Sequence, residues 1–325
     1  MCGREISRRE FLGKVAGGAF VASLLGTGTV SCSRQHQLRS TMPMRVLGRT
    51  GHHVSILAFG AGSQFLKNPD GEWEPLVEKA IELGINLFDT ASTYQWSASK
   101  SSEERLGEIL SRHRDQVLIS TKFQSRDPDQ ARREFERSLR RLRTDHVDFL
   151  LIHSIEPDED LRAIANRLYP WMLRVKEQGL CRFIGFSSMN SAEKSRELLA
   201  RLDFDVVLLA FNPTRYGNFA DIVLPIAREK NVGVLGMKIL RDLVGTAATA
   251  KELLYYAWDL EGLTSAVVGH FGMKTLLENV SLALQYTRRQ AEAINPSELE
   301  CRLAPFAGPH ALCWARTDYV DGCVC

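Results

Sequence analysis

The sequence has no surplus of either charge, no glycine-rich dinucleotide loop, no C-x₂-C pair and no apolar run long enough to make a good membrane span. Each absence removes a class of function. Residues 1–32 hold four basic side chains (Arg4, Arg8, Arg9, Lys14) against two acidic ones (Glu5, Glu10), so the remainder balances at 37 of each. Without a basic field there is no case for a nucleic acid partner or for adsorption to an anionic membrane. Without G-x-G-x-x-G there is no Rossmann-type pyrophosphate site. The seven cysteines lack zinc or ferredoxin spacing, so no metal is expected. What is present is ample apolar material, 44% of 325 residues, enough for one large core.

The N-terminus reads as a targeting segment. Ser7-Arg8-Arg9-Glu10-Phe11-Leu12 precedes a mild apolar stretch, Val15–Val30, broken by Gly17, Gly18, Gly26 and Gly28. It resembles a twin-arginine signal, which implies the export machinery as a partner and a periplasmic or cell-envelope location. Cys32 follows Thr29-Val30-Ser31 and is a candidate lipid-attachment site, the one route by which this chain would touch a membrane. Twin-arginine export carries folded proteins, which hints at a cofactor inserted before transport. The expected organisation is a signal over 1–32, a linker over 33–45, a barrel over 46–290 and a cysteine-containing extension over 291–325.

From Arg45 onward, apolar β-rich runs alternate with helical patterns. The expected strands are Ser55–Gly60, Ile85–Asp89, Val117–Lys122, Val147–Ile152, Arg182–Ser187, Val206–Phe211, Gly233–Lys238 and Ser265–Gly269. Between them recur helix signatures such as Leu76/Ala80/Ile81 and Leu106/Ile109/Leu110. Eight strand-plus-helix units predict an α/β fold, a (β/α)₈ TIM barrel; a doubly wound sheet would need fewer strands and a crossover break. Ahead of the first unit, RVLGRTGHHVSILAFG reads as a β-hairpin turning at Arg49-Thr50-Gly51. The charge run RREFERSLRRLR, 132–143, carries Phe135, Leu139 and Leu142 at helical spacing and reads as a solvated helix face.

Asp89, Tyr94, Lys122 and His153 fall at or just past the ends of three successive strands, where barrel enzymes build their sites. Lys122 could stabilise a Tyr94 phenolate, Asp89 could hold Lys122 charged, and His153 could bond a carbonyl oxygen. A phenol so placed can donate a proton as general acid. Singly, each residue suits a cap, a snorkelling lysine or a loop histidine; together they point to chemistry.

These residues sit in GINLFDTASTY, Ser102-Glu103 with Leu106-Gly107, ISTK and SLRRLRTDHVDFLLIH, and with them the chain resembles the aldo-keto reductases from Arg45 to about Arg288. The resemblance implies reduction of a small-molecule aldehyde or ketone to an alcohol, or the reverse, by a nicotinamide nucleotide, NADP(H) rather than NAD(H). Tyr94 would be the proton donor, Lys122 and Asp89 its tuning pair, and His153 the carbonyl partner. It further implies cofactor contacts from Ser187 and Ser188, from Lys238 and Arg241 near the pyrophosphate, from Glu278 and Asn279 near the adenine, and from His270 or Lys274 at a 2′-phosphate. Trp96 is the expected pocket wall, with Trp314 and Tyr319 as further pocket candidates. Leu208 stands where a carboxamide-binding Gln is usual, and Ser188 where Asn is usual. Those departures would suit an alternative, a non-catalytic barrel that binds a nucleotide or ligand in a regulatory role, though such a barrel has no use for a tuned phenol. Cys301, Cys313, Cys323 and Cys325 are spaced compatibly with disulfides, free thiols or a degenerate relic of a metal-binding tail.

Overall fold

The computed structural model describes residues 41–95, 99–287 and 294–322. It opens with the expected hairpin, β1 (Met44–Val46) antiparallel to β2 (His53–Ser55) around Gly51 in the left-handed region at φ 69°. Eight parallel strands follow: β3 (Leu57–Gly60), β4 (Leu87–Asp89), β5 (Leu118–Phe123), β6 (Val147–Ile152), β7 (Cys181–Ser188), β8 (Val206–Ala210), β9 (Gly233–Met237) and β10 (Ser265–Gly269). They close in the order β10-β3-β4-β5-β6-β7-β8-β9. Outside them lie α1 (Trp73–Glu82), α2 (Ser102–Leu110), α3 (Pro128–Leu142), α4 (Tyr169–Glu177), α5 (Ala192–Arg201), α6 (Leu224–Glu229), α7 (Ala250–Asp259) and α8 (Gly272–Tyr286), and then α9 (Pro296–Leu303). This is the (β/α)₈ barrel.

Strands covered on both faces must be apolar nearly throughout, and β8 (VVLLA) is wholly buried. The expected first strand splits in two at Ile56. Its N–H bonds the Pro43 carbonyl, while its own carbonyl accepts from Ala266 N–H and the Trp258 indole, so the chain leaves the hairpin there and enters the barrel. The arginine-rich run lies on α3, with Phe135, Leu139 and Leu142 inward. Asp127 caps that helix by accepting from Gln130 N–H, with Pro128 in its first turn. Capping boxes start α2 (Ser101 with Glu104) and α7 (Thr249 with Glu252).

The hairpin packs across the N-terminal end of the barrel. Leu47 is fully buried and lies against Gly233, where a Cβ would come within 2.6 Å of Leu47 Cγ. Gly233→Val therefore forces the hairpin off its seat and should destabilise the protein by about 1–3 kcal/mol, as overpacked cores do; a thermal midpoint equal to wild type would contradict this packing.

Candidate active site

The C-terminal ends of β4, β5 and β6 bring the four sequence-predicted residues together. Their loops are fastened by backbone bonds from Thr90 N–H to Ser120 O, Ser92 N–H to Lys122 O, and His153 N–H to Phe123 O. Asp89, Tyr94, Lys122 and His153 are all buried. Lys122 Nζ donates to Asp89 Oδ2 at 2.6 Å and to the Thr90 carbonyl at 2.7 Å, and Ser120 Oγ donates to Asp89 Oδ1 at 2.8 Å. The same ammonium stands 4.9 Å from the centre of the Tyr94 ring. The Tyr94 and His153 rings meet edge to face at 5.6 Å. His153 Nδ1 lies 3.4 Å from Thr93 Oγ1, which leaves Nε2 facing the pocket.

A residue that the sequence reading passed over completes the site. Asp321, in the C-terminal tail, places Oδ2 2.6 Å from the Tyr94 hydroxyl and 3.0 Å from His153 Nε2. Its Oδ1 accepts from Lys238 Nζ at 2.6 Å and from the Tyr319 hydroxyl at 3.0 Å. The backbone reaches that depth because residue 322 is glycine: Gly322 has φ 88°, and a Cβ there would come within 2.4 Å of Tyr94 Cδ1. Upstream, the tail is anchored by buried Leu312 and Trp314, the latter edge-on to Tyr216 at 5.3 Å, and by Cys313 N–H donating to Asp242 Oδ2 at 2.8 Å.

The electrostatics follow from this burial. Desolvation, then the charges of Asp321 and Asp89, hold the Tyr94 phenol well above its ordinary value, so it is a firm proton donor to Asp321. The expected lowering by Lys122 is therefore not the state of the site with the tail docked, because two carboxylates flank the phenol. Burial lowers His153, partly offset by its bond to Asp321. For Asp321 burial acts upward, but Lys238 and His153 outweigh it and hold the carboxyl well below the usual range.

A cleft of about 670 Å³ runs from Tyr94 and Leu208 past Met237 and Lys238 to Glu278 and Asn279. Arg241 crosses it to donate to Ser63 Oγ at 2.7 Å. Arg241, Ser63, Thr275 and Asn279 give the cleft a cation, two hydroxyls and an amide, a donor set that fits an elongated, phosphate-bearing ligand such as a nicotinamide nucleotide. Ser187 and Ser188 are turned to other tasks: Ser187 Oγ accepts from Ser154 N–H at 2.9 Å, and Ser188 Oγ donates to the Ile155 carbonyl at 2.7 Å. His270 is fully buried, 5.2 Å from the Phe59 ring, and burial pushes it down to about 3. Its Nδ1 lies 3.4 Å from the amide of Asn279. Lys274 projects into solvent, 89% exposed, 3.9 Å from Glu278. Trp96 lies outside the described residues. Trp314 packs in the tail anchor, whereas Tyr319 lines the cleft. Cys181 and Cys301 are free thiols, the Cys313 sulfur lies 3.5 Å from Arg241 Nη2, and Cys323 and Cys325 lie outside the described residues.

The sequence model of the aldo/keto reductase family matches residues 57–253. The chain is 29% identical over 261 residues to L-galactose dehydrogenase of Arabidopsis thaliana, a match covering 77% of this chain and 81% of that protein. It is 27% identical over 227 residues to D-threo-aldose 1-dehydrogenase of a Pseudomonas species, covering 59% and 68%. A solved Pseudomonas aeruginosa structure that carries the aldo-keto reductase name aligns with a TM-score of 0.65 at 30% identity, over 76% of this chain and 98% of that one.

The sign of the Asp321 shift fixes a pH window. A carboxyl lowered in the folded state contributes stability above its unfolded value, about 3.9, and loses it as pH falls through the lower folded value. The difference in thermal midpoint between wild type and Asp321→Asn should thus be constant from about pH 5 to 8 and shrink below about 4. A difference that vanished near neutrality would show that the carboxylate is not charged in the pocket.

Proposed function

The chain belongs to the aldo/keto reductase family, and from that premise we propose that it interconverts a carbonyl compound and its alcohol with Tyr94 as the general acid/base. The observation that carries this reading is the single oxygen, Asp321 Oδ2, held at once by the Tyr94 hydroxyl and His153 Nε2. An oxygen so held is where a substrate carbonyl oxygen belongs once the tail has withdrawn.

In that arrangement His153, neutral through burial and set by Thr93 at Nδ1, donates from Nε2 to the carbonyl oxygen and orients it. Tyr94 donates to the same oxygen and passes its proton as negative charge develops there. With Asp321 gone, one of the two carboxylates that hold the phenol up is removed, and the ammonium of Lys122 beside the ring stabilises the phenolate left behind. Asp89 keeps that ammonium charged and fixed. A nicotinamide nucleotide, when bound, would supply the hydride. Arg241, Ser63, Thr275 and Asn279 would hold it along the cleft. Exposed Lys274, next to cleft-lining Thr275, supports a 2′-phosphate and hence NADP(H). Leu208 offers the carboxamide no polar partner, so that grip would come from elsewhere in the mouth.

We also infer export. The Arg8-Arg9 motif and its apolar stretch lie outside the described residues, and they support transport of the folded protein by the twin-arginine machinery, with Cys32 as the lipid-attachment site.

Tyr94→Phe should lower kcat by about 10²- to 10⁴-fold while leaving nucleotide binding within about threefold of wild type. Reduction of aldehydes by that variant at the wild-type rate would sink the assignment. For export, cell fractionation should find the protein outside the cytoplasm and find the Arg8→Lys/Arg9→Lys double variant retained there; unchanged export of the double variant would refute the signal.

A further inference from the structure

The tail presents the pocket with a specific chemical object, a carboxylate, and the pocket answers each of its oxygens separately. Oδ2 takes the place of a carbonyl oxygen between Tyr94 and His153, and Oδ1 is held by Lys238. The Lys238 ammonium is thus within the width of one carboxyl group of the oxygen that reacts. Lys238 is 10% exposed, its Nζ stands 4.7 Å from the centre of the Tyr319 ring, and the carboxylate it pairs with is Asp321. The other anions nearby are already engaged: Asp89 by Lys122, and Asp242 by Arg241 and the Cys313 N–H.

A substrate oxygen can reach Tyr94 and His153 only when Asp321 leaves, and its departure takes the counter-ion from Lys238. An occupant that covers the ammonium again without pairing it meets the cost of an unpaired buried charge, so one that restores a negative charge at Lys238 is favoured over a neutral one. Resting on the reductase reading above, we propose that the pocket is a receptor for 2-oxo acids, with Lys238 reading the substrate carboxylate and Asp321 standing in as its internal surrogate. The keto oxygen lies between Tyr94 and His153, and the carboxylate, one carbon away, lies on Lys238. The keto carbon takes a hydride from the reduced nicotinamide, the π pair moves to oxygen, and that oxygen takes the Tyr94 proton. The products are a 2-hydroxy acid and oxidised nicotinamide, and the phenolate regains its proton from solvent. Asp321 competes with substrate throughout, so removing its charge raises kcat/KM.

Binding without turnover tests the receptor directly. By calorimetry on full-length Asp321→Asn protein, oxamate, a 2-oxo acid isostere, should bind at least about tenfold more tightly than its neutral counterpart oxamide, and adding Lys238→Met should abolish the preference. Equal affinities, no oxamate binding, or a preference that survives Lys238→Met would each overturn the proposal. With NADPH present, Asp321→Asn should raise kcat/KM for pyruvate at least about tenfold over wild type and prefer pyruvate to pyruvamide by a similar factor. Lys238→Met should collapse that ratio. Should Lys238→Met instead weaken NADPH binding and leave the ratio intact, Lys238 belongs to the pyrophosphate and the substrate class is wrong. Neutral aldehydes reduced with no preference for pyruvate would defeat the substrate class and leave the reductase reading standing. An oxamate preference with no carbonyl compound reduced would defeat the reductase reading and keep the carboxylate receptor.

Discussion

The buried ion pair between Lys122 and Asp89 is the constraint around which the mouth of the barrel is arranged. Two charges removed from water at 2.6 Å are tolerable only when their remaining hydrogen-bonding capacity is met. Ser120 meets it for the carboxylate, and the Thr90 carbonyl meets it for the ammonium. Those bonds fix the start of the loop that carries Tyr94, because Thr90 is tied to β5 through its N–H and to Ser102 through its hydroxyl. The phenol is placed by the same network that sets its electrostatics. Removing either partner would strand a charge at the centre of the site and loosen the loop together, so the electrostatic and structural roles of the pair are inseparable.

The architecture was legible because it is periodic. Val147–Ile152 and Ser265–Gly269 coincide with the observed strands, and the other boundaries fall within two residues, since a strand buried on both faces must be written as an apolar run. The break at Ile56 was hidden because buried apolar residues, Val54, Ile56 and Leu57, run straight across it. The clustering of Asp89, Tyr94, Lys122 and His153 was equally readable: their positions follow from where strands end, and the alternation marks strand ends.

The remainder of the site was not readable, for a different reason. Asp321 meets Tyr94 across 227 positions of sequence, and nothing periodic announces such a contact. The nearest signal was Tyr319, two residues away, in a segment whose aromatic content drew attention while its carboxylate did not. Ser187 and Ser188 show the limit of reading by position. Both stand at the mouth, but their hydroxyls are engaged by the backbone of residues 152–155 and 191, a detail of loop conformation that no spacing encodes. His270 likewise turned inward, toward Phe59, because an imidazole at the end of β10 can pack against the core as readily as it can face the cleft.

The hairpin at the opposite end of the molecule bears on how the site is used. With Leu47 seated against Gly233 and the barrel interior filled by side chains, the lower end offers no passage, and ligand traffic is confined to the rim formed by the strand ends. Every species that visits Tyr94, the tail included, must come and go on that one side. Arrivals and departures there are ordered events and not independent ones: the residence time of the tail sets the earliest moment at which anything else can begin.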